Sequence, residues 1–233
     1  MKFLNKKNLK GGFTLFEMIV VTAIIAVITA TILAEYPEMG SRFSLSRIAR
    51  EISLSLRQAQ TYGLAVREFP VENNIYPPYG FYIKPVQGSD NSFVIFGDFC
   101  DSQGYCSSPT RYAGNGDNFF NPLVISFVGQ NGNVECGGPC ERLEELRITK
   151  EVIVSDICVV DANRSCWSDG SLEELHITFR RPDPEAHIRK IPDDNQDHNS
   201  AEIIVASAKS PDVKKVIRVW ITGQISVQDY VQP

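Results

Sequence analysis

From position 13 to 34 the chain reads FTLFEMIVVTAIIAVITATILA, an apolar run whose only charge is Glu17. With no polar face, it predicts a helix surrounded by apolar material on every side. At about 1.5 Å per residue it is roughly 33 Å long, enough to cross a hydrocarbon layer of about 30 Å. Pro37 and Gly40 follow, and a proline there predicts a kink or an end. The pattern then changes: Leu45, Ile48, Ile52, Leu56 and Ala59 recur at steps of three and four, while Arg47, Arg50, Glu51, Arg57 and Gln58 fill the other faces. That periodicity predicts an amphipathic helix ending near Gly63. Beyond Arg67 the apolar runs become short and are divided by Pro, Gly, Asn and Asp. They predict strands at 80–83, 92–96, 123–128, 146–148, 152–160, 175–179, 203–206, 216–222 and 224–227. The last two suit a hairpin about Gly223, where positive φ costs little. The expected class is α+β: a long N-terminal helix, half membrane-spanning and half amphipathic, packed on an antiparallel sheet or sandwich.

Composition adds a charge asymmetry. The 233 residues are 43% hydrophobic and 22% charged, with 23 Lys and Arg against 28 Asp and Glu. The first twelve residues hold Lys2, Lys6, Lys7 and Lys10 and no acid. Without them the balance is 19 to 28, a net −9. So acidic a body argues against nucleic acid as a partner, because non-specific affinity comes from cations that neutralise phosphates. The leading lysines, with Glu35 and Glu38 behind the apolar run, predict a cytoplasmic N-terminus and a body on the outer side of the membrane.

The chemistry around the apolar run narrows its role. An ordinary secretory signal places small residues at a cleavage site after such a run, but Ile32 stands where the first of the pair before Ala34 should be. A lipoprotein signal needs a cysteine there, and the first is Cys100. Instead Lys10-Gly11-Gly12 precedes the run and Phe13-Thr14-Leu15-Phe16-Glu17 opens it. This arrangement resembles the class III signal of type IV pilins and type II secretion pseudopilins, over about residues 7–67. A strand at Tyr79-Gly80-Phe81-Tyr82 and a terminal strand-Thr-Gly-strand hairpin resemble, more narrowly, the GspH/FimT-type minor pseudopilins.

The resemblance implies cleavage between Gly12 and Phe13 by a prepilin peptidase, methylation of the new Phe13 amine, and assembly through Glu17. A carboxylate inside an apolar bundle is costly without a partner. In that family the partner is the N-terminal amine of a neighbouring subunit. The implied organisation is a leader at 1–12, a transmembrane and filament-core helix at 13–36, an amphipathic half at 37–67 and an extracytoplasmic β-rich domain at 68–233. The implied partners are the prepilin peptidase, other pilin or pseudopilin subunits, an inner-membrane assembly platform and membrane lipid, with no cofactor. A pilus-borne adhesin or DNA-uptake receptor is the alternative, with Lys214, Lys215 and Arg218 the nearest basic cluster. A membrane-tethered enzyme is the third reading.

The six cysteines fall as Cys100/Cys106, Cys136/Cys140 and Cys158/Cys166. Six admit 15 pairings; local bridges are the simplest, each contributing about 2 to 3 kcal/mol by loop entropy. Only Cys136/Cys140 has the spacing of a zinc knuckle, and an oxidising compartment favours disulfides. Asp193, Asn195, Asp197 and Asn199, with Glu202 beyond, alternate like a calcium loop but have His198 and Ile204 where a glycine and an acid belong. Asp98 and Asp101 before Gly104 form a second acidic group. For both groups a solvated loop is the simpler expectation. His176 is expected in a strand, and His187 and His198 in a charged loop. No HExxH, GxSxG or phosphate-loop pattern occurs, so the sequence offers no local catalytic arrangement.

Overall fold

The computed structural model of the chain describes residues 12–65, 67–68, 76–86, 91–98, 118–120, 126–129, 132–135, 142–192 and 195–230. Its contacts divide it into two compact units, Met1–Gly40 and Ser41–Pro233. One helix, α1 (Leu15–Leu64), supplies residues to both. It runs through Pro37 and Gly40, so the helix does not end there. An interior proline removes one backbone donor and crowds one carbonyl, a cost that the hydrogen bonds on either side can carry.

In the first unit the described side chains of α1 are exposed on every face. Among the described residues, the second unit holds the amphipathic half of α1 and twelve strands. These are β1 (Tyr79–Ile83), β2 (Ser92–Gly97), β3 (Ser126–Gly129), β4 (Gly132–Glu135), β5 (Arg142–Arg147) and β6 (Val152–Val160). They continue with β7 (Arg164–Cys166), β8 (Glu174–Phe179), β9 (Ala186–Ile191), β10 (Ser200–Ser207), β11 (Lys214–Trp220) and β12 (Ile225–Asp229). Two five-stranded sheets result, in the orders β5-β2-β1-β8-β9 and β12-β11-β10-β6-β7, with β3 and β4 forming a separate pair. Every pairing is antiparallel.

Alternation places one residue in two on the shared core. Phe81 and Ile83, Phe93 and Ile95, Leu175, Ile177 and Phe179 point there from the first sheet; Ile157 and Val159, Ile203 and Val205, Ile217 and Val219 do so from the second. Leu45, Ile48, Ile52, Leu56 and Ala59 of α1 join the same cluster, so the amphipathic stripe is the helix's core face. Each fully buried Leu, Ile or Phe there contributes about 1.5–3 kcal/mol. Gly63 permits the approach of helix to sheet, since a Cβ would lie 2.5 Å from the Phe179 carbonyl oxygen. Gly223 turns the β11–β12 hairpin at φ 79°, where a Cβ would also strike the Pro184 carbonyl oxygen at 2.1 Å.

Several strands differ from expectation. Residues 186–191, expected as charged loop, form β9, with Ala186 and Ile188 on the core and His187 and Arg189 on the other face. The expected 146–148 strand begins earlier, as β5. There the pairing slips between Ile95 and Phe96, so Leu143 and Leu146 both reach the core despite a spacing of three. The expected 123–128 strand is seen as β3 from Ser126, positions 121–125 lying outside the described residues.

Candidate assembly site

The site is the start of α1. Thr14 stands just before the helix and its Oγ1 accepts a hydrogen bond from the Glu17 backbone N–H at 3.2 Å, while its carbonyl accepts from the Met18 N–H at 3.2 Å. Thr14-Leu15-Phe16-Glu17 therefore has the Thr-x-x-Glu order of a capping box, a local signal the sequence reading passed over. Glu17 lies in the first turn, where the helix dipole favours a negative charge. Its side chain and that of Phe13 are both exposed.

Beyond the cap, Leu15–Leu33 has a mean hydropathy of 2.4 and none of it is buried. The run's threonine hydroxyls are satisfied within it. Thr22 donates to the Met18 carbonyl at 3.0 Å, Thr29 to that of Ile25 at 2.8 Å, and Thr31 to that of Ile28 at 2.8 Å. Such back-bonded hydroxyls leave an outer surface that hydrocarbon can cover at little cost. Gly12 precedes the cap, outside any helix or strand, and Lys10 and Gly11 lie outside the described residues.

Other residues singled out in the sequence are engaged elsewhere. Cys158 and Cys166 face each other across β6 and β7 and are bonded, with Cα atoms 4.1 Å apart. Cys100, Cys106, Cys136 and Cys140 lie outside the described residues. In the basic cluster, Lys215 pairs with Asp229 at 2.6 Å and Arg218 with buried Glu202, which Arg164 also meets at 2.8 Å. Lys214 lies over the Tyr230 ring. Those cations are spent on neighbours in the fold.

The acidic groups are similarly committed. Asp98 is buried and its Oδ2 accepts from the Asn118 N–H at 3.1 Å and from Arg180 at 3.3 Å. Asp197 meets His187 at 2.9 Å, and the Asn199 N–H donates to Asp161, whose other oxygen lies 2.6 Å from His198 Nδ1. Asp101 and Asp193 lie outside the described residues. Among the described residues, one group brings three residues of metal-ligand type together, Asp156 with Cys158 and Cys166. Its sulfurs are already bonded to each other.

His176 is buried on the outer face of the first sheet. Its Nδ1 accepts the Phe120 N–H at 2.9 Å, which leaves the proton of the neutral ring on Nε2, 3.6 Å from Glu174. Hydrogen bonding with His176 first, and then Lys84 at 2.7 Å, holds Glu174 down to about 2 against the opposing pull of partial burial. Burial chiefly, then Glu174, raises the neighbouring Tyr82 hydroxyl above its usual value. The three histidines thus each sit beside a carboxylate: Glu174 lies two residues from His176 on the same strand, whereas the partners of His187 and His198 come from elsewhere in the chain.

Comparison with known proteins bears on the N-terminal segment. Residues 7–33 match the family model of the prokaryotic N-terminal methylation motif. No curated protein and no solved structure matches the chain. The matched segment contains Gly12, Phe13, the Thr14 cap, Glu17 and the apolar part of α1. Over that segment the chain is similar to type IV pilins and pseudopilins, structural subunits that carry this motif at their N-termini.

Proposed function

We propose that the chain is a minor pilin or pseudopilin, most like the GspH/FimT-type subunits, assembled into a type IV pilus or a type II secretion pseudopilus. In this reading the peptidase cuts between Gly12 and Phe13, the Phe13 amine is methylated, and the helix stays in the inner membrane with its N-terminus cytoplasmic. The body from 41 onward faces outward, with Cys100/Cys106 and Cys136/Cys140 as further local bridges. Assembly moves the apolar helix from lipid into a bundle of like helices. There Glu17 meets the amine of a neighbouring subunit, and the pair fixes the axial register.

One observation carries the reading. A helix that opens with a 19-residue hydrophobic span, none of it buried, begins three residues after Gly12 and carries the span's one acid in its first turn. Capping alone would also place a glutamate at this position, and Glu17→Gln separates the two roles. Glutamine keeps the capping geometry but lacks the charge. Stranding one member of a buried ion pair costs about 3–5 kcal/mol. Crosslinking between subunits through a photoreactive residue at Val21 should therefore fall at least about tenfold in Glu17→Gln, with processing before Phe13 unchanged. Equal crosslinking by variant and wild type would leave only the capping role.

A further inference from the structure

The amphipathic half of α1 has a second, outward stripe that the core does not use. In the second unit, Phe43 is 69% exposed and Leu54 65%, against 52% for Val86, the other large apolar side chain standing out among the described residues. Phe43, Arg47, Arg50 and Leu54 follow one another at steps of four, three and four, the spacing of a helix-packing seam. The same four residues, with the single acid Glu51 and with Leu146 of β5, line a groove of about 900 Å³. Among the described residues, Arg47 and Arg50 make no hydrogen bond or ion pair. They are unneutralised in a body of net −9.

We propose that this groove receives an amphipathic helix of a different pilin-type subunit, one that presents two carboxylates to Arg47 and Arg50 and an apolar side chain to each of Phe43 and Leu54. The inference rests on the subunit reading above and names the partner surface. A seam with heptad steps selects a helix, because knobs at 4-3-4 spacing fit the holes of another helix and not the period-two face of a strand. Charge complementarity fixes the order of residues on the occupant: apolar, three residues, acid, two residues, acid, three residues, apolar. Guanidinium groups suit this role, since their rigid donor forks meet carboxylates bidentately.

The chain's own sequence argues that the occupant is not a second copy. Within α1 the one acid pair at a spacing of three is Glu35 and Glu38, and the flanking positions hold Thr31 and Arg42. A second copy would thus bring Arg42 against an apolar end of the groove, a mismatch of the kind that sets partner choice. The groove therefore specifies a sibling subunit and makes the contact heterotypic.

The test uses the full-length chain, at native level in its own cells, with a photoreactive phenylalanine analogue at position 43. The expected result is a crosslink to one other chain bearing an N-terminal methylation motif, at a helical peptide with the acid and apolar spacing above. R47E/R50E should lower that crosslink roughly tenfold while the melting temperature of the purified protein stays within a few degrees. R47K/R50K should retain most of it. Where R47E/R50E does not accumulate, R47Q/R50Q serves the same comparison. Crosslinks only to a second copy, to lipid or to a protein without the motif, no crosslink at 43, or a crosslink indifferent to charge reversal would overturn the proposal. A photoreactive residue at Val21 in the same cells distinguishes the causes. If subunit crosslinks persist at 21 and fail at 43, the groove assignment alone falls; if both fail, the assembly reading falls with it.

Discussion

The two halves of α1 differ in what surrounds them, and the difference is written in their side chains. Over Leu15–Leu33 apolar residues occupy every face and nothing is buried. Over the amphipathic half, Leu45, Ile48, Ile52, Leu56 and Ala59 are buried while Arg47, Arg50 and Arg57 remain outside. A periodic stripe asks for one protein core, whereas a continuous apolar surface asks for an apolar solvent or a bundle. The first half is thus built for a lipid and helix environment, and the second carries its own core with it. That division suits a subunit that must change surroundings without unfolding.

The comparison predicts opposite responses to the same truncation. Leu56→Ala should destabilise the outer body by about 2–5 kcal/mol, through lost burial and a cavity. Ile24→Ala should leave its denaturation midpoint unchanged in the detergent-solubilised chain. Equal effects would mean that the first half is also part of the folded core. A charge reverses the ranking: Ile25→Lys should reduce membrane insertion by an amount corresponding to about 2.5–3.5 kcal/mol, as read by glycosylation or protease-protection mapping. An exposed charge on the other half, at Leu54, should have little effect on insertion.

Smaller effects sharpen the account of the body. Replacing Cys158 and Cys166 together by serine should cost about 2–3 kcal/mol from the loop they close, measured by chemical denaturation without reductant. The smallest response is to acid. Glu174 is held at about 2 in the fold, below its ordinary 4.5. Its ionised form therefore contributes stability above about pH 4.5, and this is lost as pH falls from there towards 2. Glu174→Gln should flatten that part of the melting-temperature profile, and an unchanged slope would show that the His176 and Lys84 contacts do not act as described.

Where local pattern and final environment agree, the fold is legible in the chain. The apolar run, the stripe from Leu45 to Ala59, and strands such as β8 and β10 follow from periodicity, because each buries the face that its residue spacing defines. Legibility fails where a neighbour changes the rule. Leu143 and Leu146 are three apart, which reads as helical until the slip in pairing with β2 brings both inward. In β9 the polar outer residues His187 and Arg189, and Lys190 at the end of the inner face, mask an alternation carried by Ala186 and Ile188. Pro37 punctuates the sequence but not the helix. For the candidate site, Gly12, Phe13 and Glu17 stand within six residues and need no tertiary information. The carboxylate partners of His187 and His198, and the pairing of Arg218 with Glu202, depend on contacts between segments that spacing does not encode, whereas Glu174 and His176 share a face of β8 at a spacing of two.

The most direct test is intact-mass and N-terminal sequencing of the protein extracted from the membrane of its own cells. The account predicts a mature chain that begins at Phe13, carries one methyl group on its amine and retains the whole apolar helix. A chain that still starts at Met1, or one cut after the apolar run, would contradict it.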